Sequence, residues 1–383
     1  MLGPVLLMLP LGFAIAAPLA AILVVLGRRA GTLDSAGTEG HAKALRPIPN
    51  IGGLSIAAAT LVPLIAGLVL LAAMGDRLSE IPVVGESLGS FADRLQSQQA
   101  AWWTILLGGL AMHVLGLVDD RRAIGPWLKL AIQLAFASAV VIFGDLRLVT
   151  VLDLFGPAGT ATSGVLTVVW IVGICNAINF LDNMDGLAGG VAAIAAAVFL
   201  AATIINGQWF TAVAFALLCG SLLGFLLQNV PPARLFMGDG GSLLVGWLLA
   251  TLTIRTTFVD GADPEFALGT AWYGVLMPVV VMAIPIYDLV AVSLLRIRQG
   301  RSPLSGDQQH LSHRLVRLGL SKRSAVIVIW SLTAATGVGG IVLGSVAPWQ
   351  ATLVGAQTAC IVLVLALLEA GARRRVGGGS GKA

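Results

Sequence analysis

The stretch Leu187–Leu227, LAGGVAAIAAAVFLAATIINGQWFTAVAFALLCGSLLGFLL, holds two apolar blocks around Asn206, Gly207 and Gln208 and contains no Asp, Glu, Lys or Arg. About 20 mostly apolar residues in a helix cross the hydrocarbon of a bilayer. The blocks Leu187 to Ile205 and Trp209 to Leu227 therefore read as consecutive membrane-spanning helices. The same reading extends in both directions. Upstream it places spans at Met1 to Leu26, Gly53 to Met74, Ala101 to Val118, Trp127 to Phe143 and Gly164 to Ile178. Downstream it places them at Gly241 to Val259, Ala271 to Leu295, Ala325 to Val346 and Gln350 to Ala370. The expectation is an all-α, polytopic membrane protein of about eleven spanning helices.

The composition of the 383 residues agrees: 57% are hydrophobic and 11% charged, too apolar for a soluble globular chain. No stretch is left for a separate soluble domain, so residues 1–371 read as one transmembrane domain followed by a polar, flexible tail, 372–383. The net charge of +4 does not point to nucleic acid, because the basic residues sit in short loops, where they act as topology signals. Of the 23 Lys and Arg, 19 fall on one side of the spans, leaving Arg77, Arg94, Arg147 and Arg255 on the other. This places the N-terminus outside and the C-terminus in the cytoplasm. Arg28 and Arg29 follow the first apolar block and none precedes it, the reverse of a cleaved secretory signal. Cys175, Cys219 and Cys360 lie in apolar segments without metal-ligand spacing and read as packing residues. Asp145–Ser163, with its alternating LRLVTVLDLFG, reads as a short hairpin or as coil.

Charge and polarity gather on the basic side. Asp119 and Asp120 end the third span, and two adjacent carboxylates at a membrane boundary repel unless a proton or cation shares them. A divalent metal suits them; a solvated helix end with local salt bridges is the plainer alternative. The stretch NAINFLDNMDGLAGG, Asn176–Gly190, packs Asn176, Asn179, Asp182, Asn183 and Asp185 into a very apolar neighbourhood. Helical spacing puts the three Asn on one face and the two Asp on a neighbouring one, the wall of a polar pocket.

Before the eighth span, FMGDGGS sets Asp239 among Gly238, Gly240 and Gly241. Backbone N–H groups at a helix start suit phosphate, and a carboxylate there holds its magnesium or simply caps the helix. The ninth span contains Pro278 and Pro285, which kink or break it, and Asp288, placed to pair with Arg296 or Arg298 or to act in catalysis. The most basic loop follows, with Arg301, Arg314 and the pair His310 and His313, spaced to face one anionic ligand. His113 reads as a satisfied core residue and His41 as a loop residue. Carboxylates for a metal, glycine-rich turns and a cationic loop on one face make a coherent site for a diphosphate substrate.

These motifs, in order, resemble the polyprenyl-phosphate N-acetylhexosamine-1-phosphate transferases that start bacterial cell-envelope glycans. The likeness rests on PIPNIGG (residues 47–53), the Asp119–Asp120 pair, NAINFLDNMDGLAGG, FMGDGGS, IPIYD followed by RIRQGRSPLSGDQQH, and HLSHRL. It favours the branch using UDP-GlcNAc over the branch transferring phospho-MurNAc-pentapeptide, which carries consecutive histidines. The resemblance implies transfer of a sugar 1-phosphate from a UDP-sugar to undecaprenyl or a similar polyprenyl phosphate at the cytoplasmic face of the plasma membrane. UMP is released and magnesium is required, with manganese as a substitute. Carried over by residue, Asp239 binds the metal, and Asp119 and Asp120 orient or deprotonate the lipid phosphate and help the metal. Asn179, Asp182 and Asp185 contact the nucleotide, Phe236 stacks on uracil, and His310 and His313, with Arg301, hold the donor's diphosphate or sugar. Gly238 and Gly240 form the phosphate-binding turn. Homodimers are common in the family.

Two departures bear on the donor. The usual HxHH reads HLSH here, with Ser312 in the middle, and the usual DGLDGLA reads DNMDGLA, with Asn183 in place of a glycine. HAKALR also stands where RKxH is usual. GlcNAc leads among donors, with another N-acetylated or deoxy-hexosamine as the alternative. A secondary transporter, the rival of a different class, places its site near the midplane and shows repeat symmetry, and neither pattern is present. A CDP-alcohol phosphotransferase needs DGxxAR, whereas Leu187, Ala188 and Gly189 follow Asp185–Gly186.

Overall fold

The computed structural model describes residues 2–31, 48–78, 96–257, 272–303 and 308–378. His41, the HAKALR stretch, Asp307 and residues 379–383 lie outside them. The apolar runs form α1 Leu2–Arg29, α2 Gly53–Leu78, α3 Gln99–Asp119, α4 Pro126–Gly144, α5 Pro157–Leu181, α6 Leu187–Ile205 and α7 Trp209–Asn229. Then come α8 Gly238–Thr257, α9 Met277–Val281, α10 Ala283–Arg298, α11 Leu311–Arg317, α12 Lys322–Ile341 and α13 Pro348–Gly378. Helix starts follow local chemistry. Pro opens α4 and α5, where its missing N–H removes no intrahelical bond, and the Ser321 hydroxyl accepts from the Ser324 N–H to cap α12.

Each of the eleven segments read from the sequence falls on a helix, though not every one is long and apolar enough to be counted as a span by itself. Among the described residues nine helices are long and apolar enough to cross a membrane, and α9 with α10 makes a tenth, bent by 67°. The kink expected from Pro278 and Pro285 is this break, at Met282 between them. The helix that falls short is α8. It is the best enclosed, with Gly240 to Thr256 all buried, and α2, α3, α5, α6 and α7 pack around it. A helix wrapped in protein needs no lipid-compatible surface. It therefore tolerates Thr251, Thr253 and Thr256, whose hydroxyls bond backbone carbonyls one turn back.

Lipid is as apolar as a leucine side chain, so close packing of small residues has to hold the bundle together. At Gly108 a Cβ would lie 2.0 Å from the Trp247 indole, whose N–H donates to the Ile105 carbonyl at 2.8 Å, fastening α3 to α8. The segment between α4 and α5 holds a 3-10 helix, Thr150–Phe155, in place of the hairpin or coil considered from sequence. Arg147 clasps Asp153 at 2.7 and 3.0 Å, and α5 begins at Pro157, leaving no length for a returning strand.

Candidate active site

The end of α3, the start of α4, the end of α5 and the start of α8 meet at one face. Lys129 Nζ lies 2.5 Å from Asp119 Oδ2 and 2.5 Å from Asp239 Oδ2, so two carboxylates from different helices share one ammonium. The second oxygen of Asp239 accepts from Asn179 Nδ2 at 2.9 Å, and the same amide donates to Ser242 Oγ at 2.9 Å. The second oxygen of Asp119 accepts from the Ile124 N–H at 2.9 Å. Both carboxylates are thus aimed at one cation by partners on their far side.

Asp120 does something different from its neighbour. Its carboxylate accepts the Asp239 and Gly240 N–H groups at 3.0 and 3.1 Å, so it caps α8 and sits where the helix N-terminus attracts an anion. Burial, followed by the charge of Asp239, raises its pKa to about 7, against the pull of those two N–H groups. Glycines let the chain fit this tightly, two of them at Asp239 itself. Gly238 takes φ +71, and at Gly116 a Cβ would lie 2.2 Å from the Asp239 carbonyl. Gly116→Ala is expected to displace Asp239 and cut turnover at least about 100-fold, since an ångström of misplacement costs about that much. Activity measured beside the unfolding temperature checks this, and wild-type turnover would sink it.

The turn after α5 is built differently from the single polar face expected. The helix ends at Leu181, so its three asparagines diverge. Asn176 donates to Gln133 Oε1 at 2.6 Å, Asn179 reaches Asp239, and Asn183 lies beyond the helix. Asp182 lies close enough for its charge to raise the Asp120 pKa further, while Asp185 accepts the Ala233 N–H at 3.0 Å. The half-buried Phe236 is placed by its backbone, donating to the Pro49 carbonyl at 2.8 Å and accepting from Gly52 at 2.9 Å.

A second cluster adjoins the first through Phe180. The His310 ring lies 5.4 Å from the Phe180 ring, and the buried Arg296 guanidinium lies 5.1 Å from that ring centre. His310 Nδ1 is 3.0 Å from Asp288 Oδ2, and Asp288 Oδ1 accepts from the Leu311 N–H at 2.6 Å and from Arg314 at 3.3 Å. Asp288 therefore pairs with His310 and Arg314, correcting the pairing with Arg296 or Arg298 considered from sequence; both arginines sit at the far end of α10. Arg314 Nε also donates to Glu369 on α13 at 2.7 Å, and Tyr287 Oη donates to the same carboxylate at 3.0 Å. His313 is half-buried, and burial, helped by His310, Arg317 and Lys322, holds its pKa below the ordinary value. Arg301 is exposed, and its backbone N–H donates to the Arg296 carbonyl.

Sequence reasoning missed Lys129, Gln133 and Glu369 as members of this site. Lys129 carries a signal, a lysine inside an apolar span, but it reads equally as one of the charges that set topology. Glu369 had the same one, a lone carboxylate in a span. His113 is only half satisfied. It donates through Nδ1 to the Gly240 carbonyl at 2.8 Å, while its buried Nε2 has no partner among the described residues.

Glycosyl transferase family 4 matches residues 102–257, which hold α3 to α8 and all of the first cluster. The chain is 32% identical to the decaprenyl-phosphate N-acetylglucosaminephosphotransferase of Mycolicibacterium smegmatis, over 69% of this chain and 68% of that one. It is 36% identical to the Mycobacterium leprae protein of the same name, over 59% and 60%. With the undecaprenyl-phosphate alpha-N-acetylglucosaminyl 1-phosphate transferase of Haemophilus influenzae it shares 34% identity, over 61% and 65%. The chain thus spans 60 to 68% of the length of these relatives. On this likeness, and on the motifs that the first cluster draws together, the chain belongs to glycosyl transferase family 4, in the branch that holds these N-acetylglucosamine phosphotransferases.

Proposed function

We propose that the chain transfers a sugar 1-phosphate, with GlcNAc-1-phosphate leading, from a UDP-sugar to a polyprenyl phosphate. The products are polyprenyl-diphosphate-sugar and UMP, the first step of a cell-envelope glycan. The reaction runs at the cytoplasmic face of the plasma membrane, in an eleven-span chain whose N-terminus is outside; the basic side of the topology supports this orientation. The observation that carries the proposal is the convergence of Asp119 and Asp239 on one cation, 2.5 Å from each.

The donor set fits magnesium. Among the described residues no three His, Cys, Asp or Glu side chains converge as metal ligands. Magnesium does not need three, since it keeps several waters and takes one or two carboxylates together with substrate phosphates. Asp239 and Asp119 would hold it, in the place the Lys129 ammonium takes here. When bound, the metal neutralises phosphate charge and stabilises the departing UMP.

The chain's own groups then have separable tasks. An oxygen of the lipid phosphate attacks the sugar-bearing phosphorus, and the bond to the UMP oxygen breaks with its electron pair leaving on UMP. Lys129 counters the charge of the reacting phosphates, and Asn179 fixes the Asp239 carboxylate. Asp120, by capping α8, positions Asp239 instead of taking a proton from the lipid. Asp182 and Phe236 face the nucleotide, and His310 and His313 face the diphosphate and sugar. A groove of about 780 Å³ between α10 and α13 suits the isoprenoid chain. Val280, Tyr287 and Leu294 line one wall, Thr358, Val362 and Ala366 the other, and Arg298 and Glu369 its end nearest the site.

The test is UMP release by the purified protein with undecaprenyl phosphate and a panel of UDP-sugars, with and without magnesium. Magnesium-dependent release from at least one donor is expected. A chain that releases no UMP from any donor, while still folded, is not this enzyme.

A further inference from the structure

We infer that Ser312 and Asn183 form a latch that positions the donor, an inference that rests on the UDP-sugar reading of the site. The Ser312 side chain is fully buried, and its hydroxyl donates to Asn183 Oδ1 at 2.6 Å. Asn183 Nδ2 in turn donates to the Phe180 carbonyl, also at 2.6 Å. The amide is therefore held at both ends, its oxygen facing a hydroxyl and its nitrogen a carbonyl, and its orientation follows from the partners. Ser312 has a single hydroxyl hydrogen, and Asn183 takes it.

The latch joins the two halves of the site. On one side is the turn carrying Asp182 and Asp185; on the other is α11, with His310 at its N-cap and His313 in its first turn. Beside the contact between the Phe180 and His310 rings, this hydrogen bond ties the turn to the histidine helix. The separation of the carboxylates from the imidazoles, and so the length of donor that fits between them, follows from it. The groove assigned to the lipid acceptor is lined by neither Ser312 nor Asn183.

Both residues are also places where the motifs depart from the usual HxHH and DGLDGLA, the third being the apolar exchange of leucine for Met184. With glycine at 183 there is no amide oxygen for residue 312 to reach. With histidine at the fully buried position 312, the ring would need the space that the Asn183 side chain occupies. The two departures thus act as one coupled change, and Ser312 and Asn183 are positioning residues for the donor.

A double-mutant cycle with Ser312→Ala and Asn183→Ala tests this, read on steady-state kinetics and on unfolding temperature. Each single variant is expected to lower kcat/KM for the UDP-sugar about 5- to 10-fold, the worth of one hydrogen bond. The double variant should fall no further, and KM for polyprenyl phosphate should stay within about 2-fold, which a general loss of structure would not spare. Ser312→His alone should fall more than about 10-fold, and adding Asn183→Gly should return it to within about 3-fold of wild type. Additive losses, equal shifts in both substrates' KM, or a failed rescue would each overturn the latch. If the wild type releases no UMP from any donor, the functional reading fails by itself. The unfolding temperatures still decide the latch, coupled changes supporting it and additive ones sinking it.

Discussion

Asp239→Asn is expected to lower kcat for UMP release at least about 1,000-fold while leaving the fold intact. Several kilocalories of charge stabilisation are lost when a metal can no longer be held at the reacting phosphates, and about 4 kcal/mol corresponds to three decades in rate. The substitution keeps the shape of the side chain and its contact with Asn179 Nδ2, at 2.9 Å on Oδ1. The unfolding temperature should therefore stay within a few degrees. Added magnesium should shift that temperature in the wild type and not in the variant. Turnover above about a tenth of wild type, titrated across magnesium, would remove Asp239 from the metal site.

Lys129→Met should move two readouts in opposite directions. Without magnesium, the variant leaves Asp119 and Asp239 facing each other with no cation, and the loss of a partly buried partner costs up to about 3 kcal/mol of stability. The ammonium stands where the metal would go, so its removal should tighten magnesium binding about 10-fold, seen as a larger rise in unfolding temperature on titration. Turnover should nevertheless fall about 100-fold, because a positive charge no longer faces the phosphates. If magnesium affinity and turnover fell together, Lys129 would be an ordinary structural partner, and the overlap of ammonium and metal positions would be wrong.

The fold was largely legible because lipid imposes one strong rule: backbone polar groups must be satisfied within the segment. Hydropathy therefore found every long helix, including α8, which the protein itself shields, and missed the short α11 and the 3-10 helix Thr150–Phe155, which carry no span-length apolar run. The break at Met282 was signalled by Pro278 and Pro285, though the 67° between its halves was not. The site was legible as a set of residues and less so as a geometry. Asp119, Asp239 and Asn179 do meet, but each comes from a different helix, and no spacing within one helix predicts which neighbour fills the gap. Lys129 fills it. The asparagine face failed because α5 ends at Leu181, where Asp182 leaves helical geometry as its C-cap (φ −77, ψ 47), so 3.6-residue periodicity stops before Asn183. Asp288 was visible as a costly intramembrane charge, but its partners come from α11, beyond a loop that holds no periodic signal.

Glu369 bears on how the molecule is made. The last helix packs mainly against α12 and α10, yet it supplies the carboxylate that holds Arg314 on α11, which in turn touches the Asp288 that faces His310. A chain emerging from the ribosome completes Asp119, Asp239 and the histidine helix well before Glu369 reaches the membrane. Until the final span inserts, Arg314 and Tyr287 lack that shared acceptor and the histidine cluster is held from one side only. Under the proposed function, catalytic competence is thereby tied to completion of synthesis: a chain truncated before Glu369, even one with every family motif in place, would sit in the membrane with its second cluster unfinished.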